Sequence, residues 1–384
     1  MLKIAHVSDT HLGYTQYRLI ERKKDFIVSF EKAIDKMIEE KVDIILHTGD
    51  LFETYQPDMV SLSKCISILQ KVKNAGIEFI AITGNHDRVL RRGTIPPHKI
   101  LEELKLVKLV DPYDVLEIDG ILIAGFRFFP KRMINALKEE FFPSLEEKAE
   151  KFKYSILMFH QGVGQYLPYE ESFEMEFSDF PRNFNYYAGG HIHAFLKENL
   201  GKGIFSYAGS TEFRTKKEAL LGKRGFNILD IESNEFKRVE IENLRPFEVL
   251  NLTEENVKEE LLKLLDRVER HEIPPVVLVS YTYKDLEIET FKKVLEDIEK
   301  KSLLLRIDKR RVRSEEELVS YVDKGKKLAD FLVEFLREQN QNEKVISLAK
   351  EIIDSNEELV EDVVKSFLKE EIGKGWEEVE KLLS

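Results

Sequence analysis

The sequence has little cysteine and no long apolar run. Cys65 is the single cysteine among the 384 residues, so no disulfide can form within the chain, and this favours a reducing cytoplasm. No apolar run approaches the roughly 18 residues that a membrane-spanning helix needs. The first residues also lack the apolar core of a signal peptide. We therefore expect a cytoplasmic protein with no membrane segment.

A surplus of positive charge is also lacking. The formal net charge is −12, which argues against a generally basic surface for nucleic acid. Residues 314–384 hold 19 acidic and 10 basic side chains, so the first 313 residues carry only about −3. Local basic patches there remain compatible with DNA binding. Lysine and glutamate dominate the 34% of charged residues, a balance typical of archaeal or bacterial proteins from hot environments.

The length of 384 residues exceeds the usual size of one hydrophobic core, so two or three domains are expected. Through residue 243, short apolar runs end in loops that carry histidine, aspartate, glycine or asparagine. These runs are predicted to be buried strands at residues 4–7, 44–46, 79–82, 121–124, 155–159, 186–188, 204–207 and 226–231. Amphipathic helices are predicted at residues 26–40 and 59–75. Strands that alternate with helices predict an α/β layered fold.

Two further segments follow. Residues 244–313 show the order strand, helix, strand, helix, strand, which predicts a small α/β domain. Residues 314–384 carry three apolar stripes at helical spacing on an acidic background. Three short helices cannot hide those stripes well among themselves, so we expect a helical tail that docks on a partner.

Side chains typical of metal ligands follow five of the predicted strands. They stand in the groups Asp9-Thr10-His11, Gly49-Asp50, Gly84-Asn85-His86-Asp87, His160 and Gly190-His191-Ile192-His193. Ligands gather at the carboxyl ends of strands in open α/β sheets, so these groups could converge at one point. Carboxylates, amide oxygens and imidazoles suit divalent metals, and they are too many here for one tetrahedral ion. The set predicts two metal ions that share a carboxylate, as in phosphoryl chemistry.

Each group alone has an ordinary explanation. Asp-x-His occurs often by chance, Gly-Asp after a strand is usually a turn, and Gly-Asn-His-Asp can be a tight turn. Their joint occurrence, in this order and each at a strand end, favours a metal site. His6 and His47 lie in or at the end of strands and are predicted to pack or to support ligands. His98 and His271 are predicted to be ordinary.

Further short motifs narrow the class of protein. They are Asp9-Thr10-His11-Leu12-Gly13, Gly49-Asp50-Leu51-Phe52, His160-Gln161-Gly162 and Tyr207-Ala208-Gly209-Ser210. With them the chain resembles the calcineurin-like metallophosphoesterases and, more narrowly, the Mre-eleven (bacterial SbcD) nucleases of the double-strand-break repair complex. The resemblance implies a layered sandwich of two mixed sheets flanked by helices at residues 1–243. It also implies a small α/β capping domain that contacts DNA at 244–313 and a helical, partner-binding tail at 314–384.

The resemblance also implies roles for the site residues. One metal takes Asp9, His11, Asp50 and His193, and the other takes Asp50, Asn85, His160 and His191. Both are manganese, with magnesium a less active substitute. His86 stabilises or protonates the leaving oxygen, and Asp87 orients His86. The expected reaction is endonuclease and 3′-to-5′ exonuclease cleavage of DNA, in which two metals activate a water that attacks the phosphodiester.

Glu53 departs from the family pattern. Many relatives carry a histidine at this place, near the bound phosphate. A carboxylate would repel phosphate, so we expect this departure to affect the control of the exonuclease reaction but not metal binding.

Three kinds of partner are expected from the resemblance: DNA in the nucleoid, a second copy of the chain, and an ATPase of the Rad-fifty type that binds the tail. The candidate DNA cations are Arg18, Arg22, Arg88, Arg91 and Arg92. The candidate dimer residues are Leu62, Ile100, Leu101 and Leu104, which could instead cover the sheet. Two rival functions are a phosphatase or cyclic-nucleotide phosphodiesterase on the same fold, and a scaffold that tethers DNA without cutting it.

Overall fold

The computed structural model describes residues 2–88, 95–110, 115–167, 172–220, 222–233, 235–312 and 347. The strands are β1 Lys3–Val7, β2 Ile44–Thr48, β3 Glu78–Ile82, β4 Lys108–Leu109, β5 Leu116–Ile118, β6 Ile121–Phe126, β7 Tyr154–His160, β8 Tyr186–Gly190, β9 Leu196–Leu200, β10 Gly203–Tyr207, β11 Gly225–Asp230, β12 Glu235–Glu240, β13 Phe247–Thr253, β14 Val276–Tyr283 and β15 Leu304–Arg311. The α-helices are α1 Ile20–Glu39, α2 Met59–Asn74, α3 Pro97–Glu103, α4 Ile134–Ala136, α5 Phe142–Glu150, α6 Lys216–Leu220, α7 Val257–Arg270 and α8 Lys292–Lys301. The strands predicted before residue 243 are all confirmed.

Two six-stranded mixed sheets carry the site. The first has the order β12-β11-β1-β2-β3-β4, in which β1 to β4 are parallel and β11 is antiparallel to both its neighbours. The second has the order β5-β6-β7-β8-β10-β9, in which β6, β7, β8 and β10 are parallel and the two edge strands are antiparallel. The carboxyl ends of β1, β2 and β3 therefore share one edge of the first sheet, and those of β7 and β8 share one edge of the second.

Alternate side chains of the central strands pack on opposite faces of each sheet. Leu46 of β2 and Met158 of β7 belong to one cluster that fills the space between the two sheets. Ile45 faces the other way, into the core shared with α1 and α2. Leu157 likewise faces the core shared with α5. Helix, sheet, sheet and helix form successive layers, and the strands are apolar on both faces because both faces are covered.

A buried polar contact also joins the two sheets. His6 of β1 lies between Tyr186 Oη of β8, 2.7 Å from its Nδ1, and Thr48 Oγ1 of β2, 3.0 Å from its Nε2. Burial lowers the pKa of His6 to about 3, so the ring is neutral at physiological pH. His47 contacts Thr10 Oγ1 through Nε2 at 3.2 Å. Both histidines thus have the packing and supporting places predicted for them.

The helix α1 begins at Ile20 rather than at residue 26. Its first turn carries several charged residues, so the apolar periodicity of the sequence did not predict a helix there. Arg22 in that turn is fully buried, and its guanidinium packs 5.5 Å from the centre of the Phe26 ring and pairs with Glu212 at 3.1 Å. The prediction that Arg22 faces DNA is therefore wrong, because its guanidinium is buried and paired with a carboxylate inside the protein.

One predicted dimer residue is also misplaced. Leu101 of α3 is fully buried in the core beside α1 and α2, so it has no surface to offer a second copy. Leu62 and Ile100 are half-buried, and Leu104 is 47% exposed. These three residues stay predictions for an interface.

Beyond residue 246, β13, α7, β14, α8 and β15 follow in the predicted order, and the strands form the sheet β13-β14-β15. The chain divides into two compact units. The first contains Met1–Val249, Asp266–Leu278 and Ile298–Leu305, and the second takes the remaining described residues. The domain bounds 1–243, 244–313 and 314–384 stay predictions, and the tail lies outside the described residues apart from residue 347. Among the described helices, none has the length and apolar character that crossing a membrane requires.

Candidate metal centre

The loops after β1, β2, β3 and β8, together with the last residue of β7, bring the seven predicted ligands into one cluster. Four of these ligands have positive φ, which side chains other than glycine rarely adopt. They are Asp9 at 53°, His11 at 45°, Asp50 at 53° and His191 at 94°. Such strained backbone persists only where the surrounding structure fixes it, and it concentrates at functional sites.

Two glycines of the motifs let the ligand loops approach each other. A Cβ on Gly84 would overlap the carboxylate and the backbone nitrogen of Asp50. A Cβ on Gly190 would overlap the Thr48 carbonyl and crowd the His160 ring. Both positions must therefore lack a side chain if the ligands are to meet.

One half of the cluster contains Asp9, His11 and His193. The two Nε2 atoms of His11 and His193 are 3.2 Å apart, and Asp9 Oδ1 lies 3.8 Å from His193 Nε2. One ligand atom from each of the three residues lies within 4.8 Å of the other two. Asp9 is also held in place, because the His191 backbone N–H donates to its carboxylate at 3.1 Å.

The other half contains Asn85, His160 and His191. Asn85 Oδ1 lies 3.1 Å from His160 Nε2 and 3.0 Å from His191 Nδ1. Asp50 stands between the halves, with Oδ2 at 3.3 Å from His160 Nε2 and 3.9 Å from His11 Nε2. This is the place that a shared carboxylate requires.

The hydrogen bonds behind these rings show that the site suits cations. His160 Nδ1 donates to the Thr48 carbonyl at 2.7 Å, so in the neutral ring Nε2 has a lone pair, and it faces the oxygens of Asn85 and Asp50. His193 Nδ1 contacts Glu218 Oε1 at 3.0 Å, so its Nε2 lone pair faces His11 Nε2. A ring nitrogen lone pair that faces a carboxylate or amide oxygen needs a cation between the two atoms, and imidazole, carboxylate and amide ligands fit divalent metals.

The pKa of His160 shows the same preference for positive charge. Burial by itself lowers this pKa, but the neighbouring Asp50 carboxylate more than offsets burial and raises the pKa of His160 to about 9, so a proton on Nε2 would take the place between the ring and Asp50 that a metal ion would otherwise take. Burial raises the pKa of Asp50, yet His160 holds it well below its usual range. Asp50 therefore stays ionised and attracts a cation to this half of the cluster.

Two residues at the site, Arg214 and Glu218, were not found from the sequence. The supporting contacts of Glu53 were not predicted either. Glu53 Oε2 lies 3.0 Å from His11 Nδ1, although the two atoms are not aligned as a hydrogen bond. Glu53 Oε1 accepts from Arg214 Nη2 at 2.9 Å, so the carboxylate expected to repel phosphate is paired with a guanidinium. The one available signal was position, since Arg214 and Glu218 closely follow the Gly209-Ser210 motif.

His86 and Asp87 have different surroundings from those predicted. His86 Nδ1 contacts the main-chain carbonyl of Glu53 at 2.9 Å, and the ring is 29% exposed. The Asp87 carboxylate instead accepts from the backbone N–H groups of Leu51, Phe52 and Gly84 at 3.0–3.2 Å. Asp87 thus ties the loops after β2 and β3 together, and the prediction that it orients His86 is corrected: a backbone carbonyl holds that place.

The candidate DNA cations are only partly described. Arg18 and Arg88 are exposed, and Arg88 comes two residues after His86. Arg91 and Arg92 lie outside the described residues. All four stay predictions.

Comparisons with known proteins identify the family of the chain. The family model of the calcineurin-like phosphoesterases matches residues 2–195. The fold and the site therefore define a metallophosphoesterase, as predicted.

Three archaeal proteins described as DNA double-strand break repair protein Mre11 are similar to the chain. The one from Saccharolobus solfataricus is 31% identical over 96% of this chain and 99% of its own length. Those from Methanocaldococcus jannaschii and Thermoplasma acidophilum are each 34% identical, over 72% and 77% of this chain and 75% and 80% of their own lengths.

The chain belongs to the Mre11 family. It is a metal-dependent nuclease that hydrolyses phosphodiester bonds, which confirms the predicted enzyme class.

Proposed function

We propose that the chain is a manganese-dependent DNA nuclease of double-strand-break repair, with single-strand endonuclease and 3′-to-5′ exonuclease activity. The observation that carries the proposal is the cluster at the strand ends. There, His160 Nε2 lies 3.1 Å from Asn85 Oδ1 and 3.3 Å from Asp50 Oδ2, and His193 Nε2 lies 3.2 Å from His11 Nε2. The Mre11 name of the relatives supplies DNA as the substrate.

The ligands divide into two sets in this proposal. Asp9, His11, Asp50 and His193 hold one ion, and Asp50, Asn85, His160 and His191 hold the other. Bound divalent ions would lower the pKa of a water and neutralise charge on the non-bridging oxygens of the phosphodiester. The rigid loops fix the distance between the two sets, because Asp87 braces one loop against the next.

His86 serves the leaving group. Water oxygen bonds to phosphorus while the bond from phosphorus to the leaving oxygen breaks, and His86 donates a proton to that oxygen. The Glu53 carbonyl orients the ring through Nδ1 at 2.9 Å, which leaves Nε2 to face the substrate. The Glu53 carboxylate, 3.9 Å from Nδ1, is placed to stabilise a cationic ring.

A direct comparison of substrates tests the proposal against the phosphatase and cyclic-nucleotide rivals. The metal-free protein is loaded with manganese and given single-stranded DNA, a nitrophenyl phosphate monoester and a cyclic nucleotide. We expect cleavage of DNA far above that of the two small substrates, and loss of cleavage with a chelator. The Asp50→Ala variant should lose both metals and the activity. Preferential cleavage of a small substrate would select a rival, and DNA binding without cleavage would select the scaffold.

Two partners complete the proposal. A second copy of the chain would bind along α2 and α3, and a Rad-fifty-type ATPase would bind residues 314–384. A variant truncated after residue 313 should keep nuclease activity and lose the ATPase in a pull-down. Full ATPase binding by the truncated chain would contradict the role of the tail.

A further inference from the structure

Four carboxylates and two guanidinium groups of the described residues lie around the candidate metal centre, and one of the two, Arg224, donates to the His193 carbonyl at 2.7 Å. Asp9 and Asp50 are ligands, Glu53 stands behind His11, and Glu218 stands behind His193. Among the described side chains, Arg214 is the guanidinium that contacts a ligand ring, with Nη1 at 3.4 Å from His11 Nε2. A phosphodiester that enters this site carries a negative charge, so it needs donors of this kind.

Arg214 is held in this place from several sides. Its Nη2 donates to Glu53 at 2.9 Å, and its guanidinium lies over the Tyr14 ring at 4.7 Å from the ring centre. Its backbone N–H donates to Glu218 Oε2 at 2.9 Å, the same carboxylate that contacts His193 through Oε1 at 3.0 Å. Arg214 is therefore held by the same residues that contact the predicted ligands.

The donors of Arg214 are not all used by the protein. A guanidinium has five N–H donors. Nη1 is directed at the same His11 nitrogen that is predicted to bind metal, and Nε has no hydrogen-bond acceptor although it is buried. When a cation occupies Nε2 of His11, that nitrogen no longer accepts from Arg214. Nη1 would then be available to another acceptor, such as a non-bridging oxygen of a phosphate.

From this geometry we infer that Arg214 binds the phosphate of the substrate and that Glu53 holds it ready to do so. The inference rests on the proposed nuclease function and adds a substrate-binding residue to it. The alternative role for Arg214 is only to neutralise Glu53. The two roles predict different phosphate affinities for a variant in which Glu53 and Arg214 are both replaced by uncharged residues.

The test uses the full chain loaded with manganese and two probes, inorganic phosphate and bis(4-nitrophenyl) phosphate. Calorimetry measures the affinity for phosphate and, separately, the number of metals bound. Steady-state kinetics measure KM and kcat for the diester. The variants are Arg214→Gln, Arg214→Met and the double variant Glu53→Gln with Arg214→Gln. The matched control is Arg267→Gln, which removes a guanidinium paired with Glu248 at 2.9 Å in another part of the fold.

If Arg214 binds phosphate, Arg214→Gln weakens phosphate affinity by about tenfold or more and raises KM, with the metal count unchanged. The double variant stays as weak as the single one, and Arg267→Gln behaves as the wild type. Recovery of phosphate affinity in the double variant would show that Arg214 only neutralises Glu53, and wild-type affinity in Arg214→Gln would also overturn the inference. Loss of a metal, or failure of both Gln and Met variants to fold, would assign Arg214 a structural role instead.

Failure of the proposed function gives a different result. In that case the wild-type chain does not cleave DNA, while the phosphate titrations still report on Arg214.

Discussion

Three histidines of the site are oriented through Nδ1 by an acceptor that is not itself a predicted ligand. His160 uses the Thr48 carbonyl, His86 uses the Glu53 carbonyl, and His193 uses the Glu218 carboxylate. Such a contact fixes which nitrogen carries the proton and leaves the other free. At the scale of single residues, the function therefore depends on contacts behind the rings as much as on the rings.

Glu218→Gln tests that dependence. The substitution keeps an oxygen near His193 Nδ1 but removes the charge that makes the ring a stronger ligand. We expect metal affinity to fall by about tenfold, without loss of fold. Metal titration by calorimetry measures this, and Glu240→Gln, which loses a surface pair with Lys223, is the control. Equal affinity in both variants would mean that the carboxylate charge does not support the ligand.

His86→Ala tests the role of a residue that is placed beside the metals rather than among their ligands. Cleavage should fall by roughly 10² to 10⁴ because the leaving oxygen loses its proton donor. The number of bound metals, measured by anomalous scattering, should remain that of the wild type. Loss of a metal would show that His86 is a ligand.

At the scale of elements, the site exists because strands from two sheets end at one place. The strands β1, β2 and β3 supply Asp9, His11, Asp50 and Asn85, and β7 and β8 supply the remaining ligands. The two sheets must therefore keep their relative position. The buried contact of His6 with Tyr186 and Thr48 is one of the contacts that join them.

His6 gives the stability a defined pH dependence. Burial lowers its pKa from 6.5 to about 3, so between these values the unfolded chain binds a proton that the folded chain does not. This contribution to stability is fully present above pH 6.5 and is lost as pH falls towards 3. Relative to His6→Gln, the wild-type free energy of unfolding should fall by up to about 1.4 kcal/mol per pH unit in this window. Denaturant unfolding at several pH values measures the difference, and parallel curves would contradict the prediction.

At the scale of the whole molecule, several large apolar side chains on α2 and beside α3 are exposed. Met59 and Val60 at the start of α2 are 75% and 61% exposed, and Leu104 after α3 is 47% exposed. Large apolar side chains that are exposed to this extent support the proposed interface along α2 and α3. Leu101 is instead fully buried in the core and does not belong to that surface.

Leu62→Asp combined with Leu104→Asp should convert a dimer into a folded monomer, because both changes place charge on the apolar surface. Light scattering measures the mass, and circular dichroism measures the fold. Leu262→Asp changes a leucine of α7 that is 50% exposed and serves as the control. A dimer that persists in the double variant would place the interface elsewhere.

The sequence by itself determined the family, the α/β layers and the type and order of the predicted ligands. These features are local: an apolar run predicts a strand, and the residues that follow it along the chain stand at its end. Only the tertiary structure decided which side chains support the ligands. Glu53 and Arg214 are 161 positions apart, His193 and Glu218 are on different elements, and no periodic pattern relates either pair. The burial of Leu101 and Arg22, and the bracing contacts of Asp87, likewise depend on distant segments that meet only when the two sheets and their helices have packed.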